Sequence, residues 1–171
     1  MRTKTFHIGI TGHRDLGNAE TQTFVCEKIK KLLLKLQEEH RRLNALSALA
    51  EGADTIFARE ALELGIPLIA VIPFAEYEDD FTKRESLEQF KGLLQQAEKV
   101  IRLDYRHRSD KAYLEGGKWV VDHSDLLCAV WNGKPAAGKG GTGDVVAYAL
   151  NKSCPVIHID VSNHLVKKLH L

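Results

Sequence analysis

The chain has 171 residues, of which 44% are hydrophobic and 27% are charged, and its formal net charge is +1. This length predicts one domain over residues 1–171, and the balanced charge argues against extended binding of DNA or RNA. Because we find no leader-like or membrane-spanning stretch, we expect a cytoplasmic protein. Cys26, Cys128 and Cys154 are widely spaced in apolar surroundings, which indicates reduced thiols and no metal site.

Strand-like and helix-like segments alternate along the chain. Short apolar runs predict six strands, at residues 5–10, 43–48, 68–72, 100–103, 126–131 and 156–159. Helices are predicted after caps at Asn18, Asp54 and Asp110, at residues 84–97, and from residue 145. This alternation predicts an α/β fold: a single doubly wound, mostly parallel Rossmann-like sheet of about six strands with helices on both faces. Ligands bind such sheets at the carboxyl ends of the strands.

A glycine-rich stretch at residues 138–144 lies between the fifth predicted strand and the helix after it. Glycines let the main chain approach a ligand closely, and the start of a helix carries a partial positive charge. The stretch therefore predicts a phosphate site built by Gly140, Gly141, Thr142 and Gly143. The alternative is a glycine-rich surface turn.

Two known nucleotide-binding motifs match residues of this stretch, but the surrounding sequence does not fit either of them. Gly138-x-Gly140-x-x-Gly143 fits the dinucleotide fingerprint, but six residues separate it from its strand and the chain has no room for the second half of a dehydrogenase fold. Gly133 and Lys139 complete most of a Walker A loop, but Gly140 stands where a magnesium-binding hydroxyl is needed. We therefore expect neither an NAD-dependent dehydrogenase nor an ATPase.

The loop after the first strand offers a second phosphate site, made of Gly12, His13 and Arg14. Arg14 can form bidentate contacts with phosphate oxygens, and Gly12 leaves room for a close ligand. An arginine in an ordinary surface loop is the alternative.

Other loops at the same sheet edge supply candidates for the rest of a ligand site. Glu51, Gly52 and Asp54 follow the second strand, and with Asp144 they would line the sugar or base side. Glu51 and Asp144 are the candidates for a catalytic carboxylate. The candidates for a pocket wall are Pro73, Phe74, Tyr77 and Trp131. For Trp131 the default is a place in the core, and the loop that contains Tyr77 is equally consistent with a solvated acidic loop held by its aromatic residues.

The sequence SALAEGAD at residues 47–54, continued by ALELGIPLIAVIP at 61–73, resembles the glycine-aspartate segment of the SLOG superfamily. That superfamily includes the LOG phosphoribohydrolases, the DprA-type DNA-processing proteins and ligand-sensing domains of bacterial nucleotide signalling. Residues 11–14 and 140–143 resemble its other two loops, in the same order. The resemblance implies a Rossmann-like fold, a nucleotide or nucleotide derivative as ligand, phosphate at the late glycine loop, and a homodimer.

The late loop departs from the LOG motif PGGxGTxxE, whose glutamate serves cleavage of the base–ribose bond. If Gly140 and Gly141 match the paired glycines, Ala147 stands in the place of that glutamate and Lys139 in the place of the proline. The resemblance therefore implies a protein that binds or senses a nucleotide without turning it over, and no further cofactor. The alternatives are an N-glycosidase acting on nucleoside monophosphates and an interaction module with a vestigial pocket.

Overall fold

The computed structural model describes residues 4–136 and 138–169, and in them strands and helices alternate as the sequence predicts. The elements in chain order are β1 Phe6–Gly12, α1 Ala19–Glu39, β2 Leu43–Ser47, α2 Ala53–Glu63, β3 Leu68–Ile72, α3 Arg84–Gln96, β4 Lys99–Arg102, α4 Asp110–Asp122, β5 Leu126–Trp131, α5 Thr142–Asn151, β6 Val156–Asp160 and β7 Leu165–Leu169. A short 3-10 turn, Tyr77–Asp80, lies between β3 and α3. The predicted α/β, doubly wound fold is confirmed.

The strands form one sheet in the order β4-β3-β2-β1-β5-β6-β7. Every neighbouring pair is parallel except β6 and β7. The direction of strand addition reverses between β1 and β5, so the loops after these two strands leave on opposite sides of the sheet. A crevice opens at such a point, and it is where ligands bind in open α/β sheets.

The seventh strand is the difference from the predicted sheet of about six. Its segment, LVKKL, is largely exposed and has two adjacent lysines instead of an alternation of apolar and polar residues. The strand forms because β6 offers a free edge, along which β7 pairs from Val156–Leu169 to Asp160–Leu165. Sequence periodicity reports burial, so it does not detect a strand that is stabilised by edge pairing alone.

The helices cover both faces of the sheet. Helices α1, α2 and α3 contribute to one hydrophobic core and α5 to the other, while α4 contributes to both. Cys128 and Cys154 are buried, Cys26 is partly buried, and all three are free thiols. No helix in residues 4–136 or 138–169 combines the length and apolar character needed to cross a bilayer.

Adjacent glycines in the middle of α4 allow unusually close packing. A Cβ on Gly117 would lie 2.5 Å from Val145 Cγ2 on α5, and one on Gly116 would lie 3.2 Å from Pro73 Cβ after β3. Glycine weakens an isolated helix. Here it lets α4 approach both α5 and the carboxyl end of the sheet.

Of the three predicted helix caps, one is confirmed and two are wrong. Asn18 caps α1 and accepts a hydrogen bond from the Thr21 N–H. Gly52, not Asp54, is the N-cap of α2, and the helix-capping residue of α4 is Ser109 instead of Asp110. Instead of capping α2, the Asp54 carboxylate accepts a bond from the Ala50 N–H at 3.3 Å.

Candidate functional site

A cleft with a volume of about 550 Å³ opens at the carboxyl end of the sheet, over the crevice between β1 and β5. It is lined by loops that are far apart in the sequence. The predicted site residues that line it are Gly12, His13, Arg14, Asp54, Pro73, Tyr77, Trp131, Gly140, Gly141, Thr142 and Gly143. The fold therefore brings the two proposed phosphate loops together.

Four other candidate residues lie elsewhere. Glu51 and Gly52 line a neighbouring cleft of about 600 Å³, which shares Arg14 with the first. Phe74 is 1% exposed and belongs to the core, and the Asp144 carboxylate accepts a bond from the Gly140 N–H at 2.8 Å. These residues are not brought together in one site.

The position that matches the LOG glutamate also lies outside the cleft. Ala147 is exposed on α5 and is not among the residues that line the main cleft. Neither its side chain nor its location supplies a carboxylate there.

The loop after β1 is held by its own backbone. The His13 N–H donates to the Val130 carbonyl at 3.0 Å, and the His13 carbonyl accepts from the Ala53 N–H at 3.1 Å. The N–H of Asn132 donates to His13 Nε2 at 3.2 Å. Because a backbone N–H can only donate, His13 Nε2 is the acceptor in this contact. His13 thus ties the end of β1 to the end of β5 at the base of the cleft.

The early glycines are required by close approaches within the protein. A Cβ on Gly12 would lie 2.5 Å from the Ala53 Cβ. Gly52 has a φ of +80°, and a Cβ there would lie 2.3 Å from the Arg14 carbonyl oxygen. Because Gly12 and Gly52 have no side chains, the start of α2 packs directly against the loop after β1.

The late glycines have the same kind of internal explanation. A Cβ on Gly140 would lie 2.7 Å from the Asp110 carbonyl oxygen, and one on Gly143 would lie 2.7 Å from the Ala136 nitrogen. Glycine in this loop is therefore a packing requirement, and it is not by itself evidence for a phosphate. The evidence for a ligand must come from charge and position.

Helix α5 begins at Thr142, earlier than the predicted residue 145. The Asp144 carboxylate lies in its first turn and bonds the Gly140 N–H, which extends hydrogen bonding back into the loop. A carboxylate here also interacts favourably with the helix dipole. The N-terminus of α5 thus faces the cleft with an internal negative charge close by.

Two arginines on one wall are held by a single buried carboxylate. The Asp80 side chain is 6% exposed, and both terminal nitrogens of Arg14 lie 3.4 Å from its Oδ2. Arg108 Nε lies 3.7 Å from its Oδ1, and the Tyr113 hydroxyl donates to the same group. The guanidinium carbons of Arg14 and Arg108 lie 4.8 and 5.9 Å from the centre of the Tyr113 ring. Two positive charges against one negative leave a net positive charge on this wall.

The segment after β3 forms a packed wall of the cleft, which Pro73 and Tyr77 line. Tyr77 and Phe81 are buried, and Tyr77 makes edge-to-face contacts with Phe74 at 5.2 Å and Phe90 at 5.6 Å. Phe74 contacts Tyr113 in the same way at 5.4 Å. Burial, and then the nearby Asp54, raises the pKa of the Tyr77 hydroxyl. The aromatic cluster therefore anchors the turn that carries Asp80.

The charged groups along the cleft are mostly positive. Its Lys and Arg residues are Arg14, Arg108, Lys134 and Lys139, whereas Asp54 is the single Asp or Glu among the described lining residues. Sequence reasoning missed Arg108 and Lys134 as site residues. A concave surface with this charge balance attracts anions.

Asp54 is a buried acid in that positive cleft. It is 6% exposed, and burial raises its pKa from the ordinary 3.8 to about 7, although the Ala50 N–H and the nearby Arg14 act in the opposite direction. A carboxyl group with such a pKa can hold or release a proton at neutral pH. Asp54 is therefore the strongest candidate in the cleft for a group that transfers a proton.

Trp131 forms part of the cleft lining at the end of β5. Its indole N–H donates to the Lys134 carbonyl at 2.7 Å, and its own carbonyl oxygen lies 2.8 Å from His158 Nε2. These bonds fix the ring and the strand end. In the part of the chain that the structure describes, no group of three or more His, Cys, Asp or Glu residues is arranged to hold a metal ion.

No known family model and no curated protein matches the sequence. Solved structures do resemble it. DNA processing protein A (DprA) from Streptococcus pneumoniae superposes with a TM-score of 0.65 at 16% identity, over 90% of this chain and 50% of that one. DprA from Helicobacter pylori, described as binding single-stranded DNA, gives 0.63 at 15% identity, over 92% and 70%.

The Moco carrier protein of Chlamydomonas rheinhardtii has a TM-score of 0.53 at 17% identity, over 91% of this chain and 76% of that one. This chain thus spans half the length of the pneumococcal DprA structure and larger shares of the other two. At these identities the comparisons establish a common fold only. The chain has the Rossmann-like fold that its resemblance to the SLOG superfamily implied.

Proposed function

We propose that this protein binds a phosphate-bearing nucleotide in the cleft between β1 and β5. The observation that carries the proposal is the charge of the lining, where four Lys or Arg residues face one buried Asp. Nucleotides are anionic, and open α/β sheets bind their ligands at this strand reversal. The cleft volume of about 550 Å³ also lies within the usual range for small-molecule sites.

The phosphate is placed, in this proposal, between the paired arginines and the N-terminus of α5. Asp80 holds Arg14 and Arg108 in position before a ligand arrives, which reduces the entropy lost on binding. Tyr113 and Trp131 offer aromatic surface for a base. The proposal favours a small nucleotide over a nucleic-acid strand because the positive groups line a cleft in a chain of net charge +1.

A thermal-shift screen of mononucleotides, dinucleotides, nucleoside diphosphate sugars and cyclic dinucleotides tests the proposal. At least one nucleotide should raise the Tm, because a ligand that binds only the folded state stabilises it. Titration calorimetry should then show that Arg14→Ala weakens binding by roughly 1.5–3 kcal/mol.

Arg84→Ala is the matched control, since Arg84 is an exposed arginine that pairs with Glu88 and does not line the cleft. Lys139→Ala probes the opposite wall. A panel without any Tm shift would reject the proposal. If the wild type, Arg14→Ala and Lys139→Ala bound the nucleotide with equal affinity, the nucleotide would have to bind outside this cleft.

A second candidate function, N-glycosidase activity on a nucleoside monophosphate, is favoured by Asp54. A protonated carboxyl in the cleft can donate its proton to the leaving base while water attacks the anomeric carbon and then returns a proton to the carboxylate. The products would be the free base and ribose 5-phosphate. Release of free base that disappears in Asp54→Asn, with nucleotide binding retained, would support the enzyme. Binding without base release would support the binding protein.

A further inference from the structure

A second cleft adjoins the proposed nucleotide site, and Arg14 lines both. The second cleft has a volume of about 600 Å³ and lies among the starts of α1, α2 and α3. Arg14 therefore forms a shared boundary. A ligand whose phosphates meet Arg14 has room to continue on the other side.

The lining of the second cleft differs in kind from that of the first. The described residues around it include no aromatic side chain, whereas the first cleft has Tyr77, Tyr113 and Trp131. In place of aromatic rings the second cleft has charged groups, hydroxyls and side-chain amides, including Glu51, Thr55, Arg59, Lys83, Ser86 and Gln89. Donors and acceptors are mixed, which suits a group with many hydroxyls better than a second base.

Two of its charged side chains are available to a ligand. The side chains of Glu51 and Lys83, which line this cleft, make no hydrogen bond or ion pair with any residue that the structure describes. The Lys83 backbone carbonyl accepts from the Leu87 N–H within α3. Arg59 is about half exposed and lies 3.8 Å from its nearest carboxylate oxygen, on Glu60. An acceptor and two donors therefore surround the second cleft without tight internal partners.

We propose that the ligand is a nucleoside diphosphate sugar that occupies both clefts. The nucleoside lies in the first cleft, the diphosphate passes Arg14, and the sugar lies in the second cleft, where Glu51 accepts from its hydroxyls and Lys83 donates to them. This inference rests on the proposed nucleotide binding and specifies its substrate class. It also gives Glu51 a role that the main cleft does not provide.

Calorimetric titration with matched ligand pairs tests the inference. ADP-ribose is compared with ADP, UDP-glucose with UDP, and GDP-mannose with GDP, because the base is to be identified by the same experiment. For the base that fits, the sugar should strengthen binding by at least about tenfold, because one net hydrogen bond to a charged group already gives that gain.

Variants locate the sugar. Glu51→Gln, which preserves shape, and Lys83→Ala should each remove about fivefold or more of the affinity for the full ligand and leave the diphosphate unchanged. Arg84→Ala, at the next residue of the same helix start and outside both clefts, should change neither.

Three results would overturn the inference. Equal affinity for a diphosphate and its sugar derivative would leave the second cleft empty, while nucleotide binding stood. An equal loss for both members of a pair in Glu51→Gln and Lys83→Ala would show that these residues act elsewhere. If no ligand of any pair binds, the proposed nucleotide function fails together with the inference.

Discussion

Replacing Asp54 by Asn should stabilise the protein, and the gain should depend on pH. The residue is 6% exposed, and burial raises the pKa of its carboxyl group from the ordinary 3.8 to about 7 in the folded protein. Below pH 3.8 both folded and unfolded chains hold the proton, so this group does not affect stability. Between pH 3.8 and 7 the unfolded chain releases the proton and the folded one keeps it, so each pH unit lowers the free energy of unfolding by about 1.4 kcal/mol.

The total cost above pH 7 is about 4 kcal/mol, which is the difference between the two pKa values converted to free energy. The favourable interaction of a charged Asp54 with the start of α2 is worth only about 0.3–1 kcal/mol. Asn keeps an oxygen that can accept from the Ala50 N–H. We therefore expect Asp54→Asn to be more stable by less than about 1 kcal/mol at pH 4 and by about 4 kcal/mol at pH 8.

Urea unfolding of the wild type and Asp54→Asn at pH values from 4 to 8.5 measures this difference. The difference between the two free energies of unfolding at each pH cancels the contribution of every titrating group that the substitution leaves unchanged. A difference that stays flat over the whole range would refute the reasoning, since it would mean that Asp54 ionises at its ordinary pKa. A wild type that is the more stable protein at pH 8 would show that the carboxylate stabilises α2 instead.

The packing at Gly52 and the charge at Asp144 lead to two further predictions. Gly52→Ala should lower the free energy of unfolding by about 3 kcal/mol, because φ is +80° and the new Cβ would clash with the Arg14 carbonyl. Gly17 has a similar φ of +75° but no atom within 4 Å of a Cβ, so Gly17→Ala should lower it by only about 1 kcal/mol. Chemical unfolding measures both, and equal losses would contradict the contact argument. Asp144→Asn should strengthen nucleotide binding a few-fold at low salt, because it removes a negative charge beside the α5 N-terminus. Weaker binding in the calorimeter would instead make Asp144 a ligand contact.

Much of the fold follows from local sequence signals. The buried strands, such as LIAVI at Leu68–Ile72, are short apolar runs between clear turn residues, and their periodicity reports their burial directly. Strand order is different, because nothing in the spacing of the runs states that β5 lies next to β1. The position of the cleft depends on that order, so the sequence indicates which loops are candidates but not which of them meet.

In the candidate site, too, some features follow from local sequence and others depend on distant residues. Arg14 is visible because it lies in the short loop just after β1. Arg108 follows the edge strand β4, and the sequence does not show that Asp80 and Tyr113 contact it at the cleft. Asp54 looked like a helix cap because α2 starts beside it, and only the structure shows its carboxyl bonded to Ala50 and buried. Sequence patterns identify residue types and local positions, while burial and charge partners depend on residues far along the chain.

The close contact of α4 with α5 has a consequence for ligand selection. Gly116 and Gly117 line the cleft, so the distance between the two helices sets the width of its floor. A methyl group at position 117 would press on Val145 and move the helices apart. A change in the distance between α4 and α5 would thus alter which ligands fit, while Arg14 and the other charged groups stay in place. A related chain with alanine at that position would have a wider cleft floor.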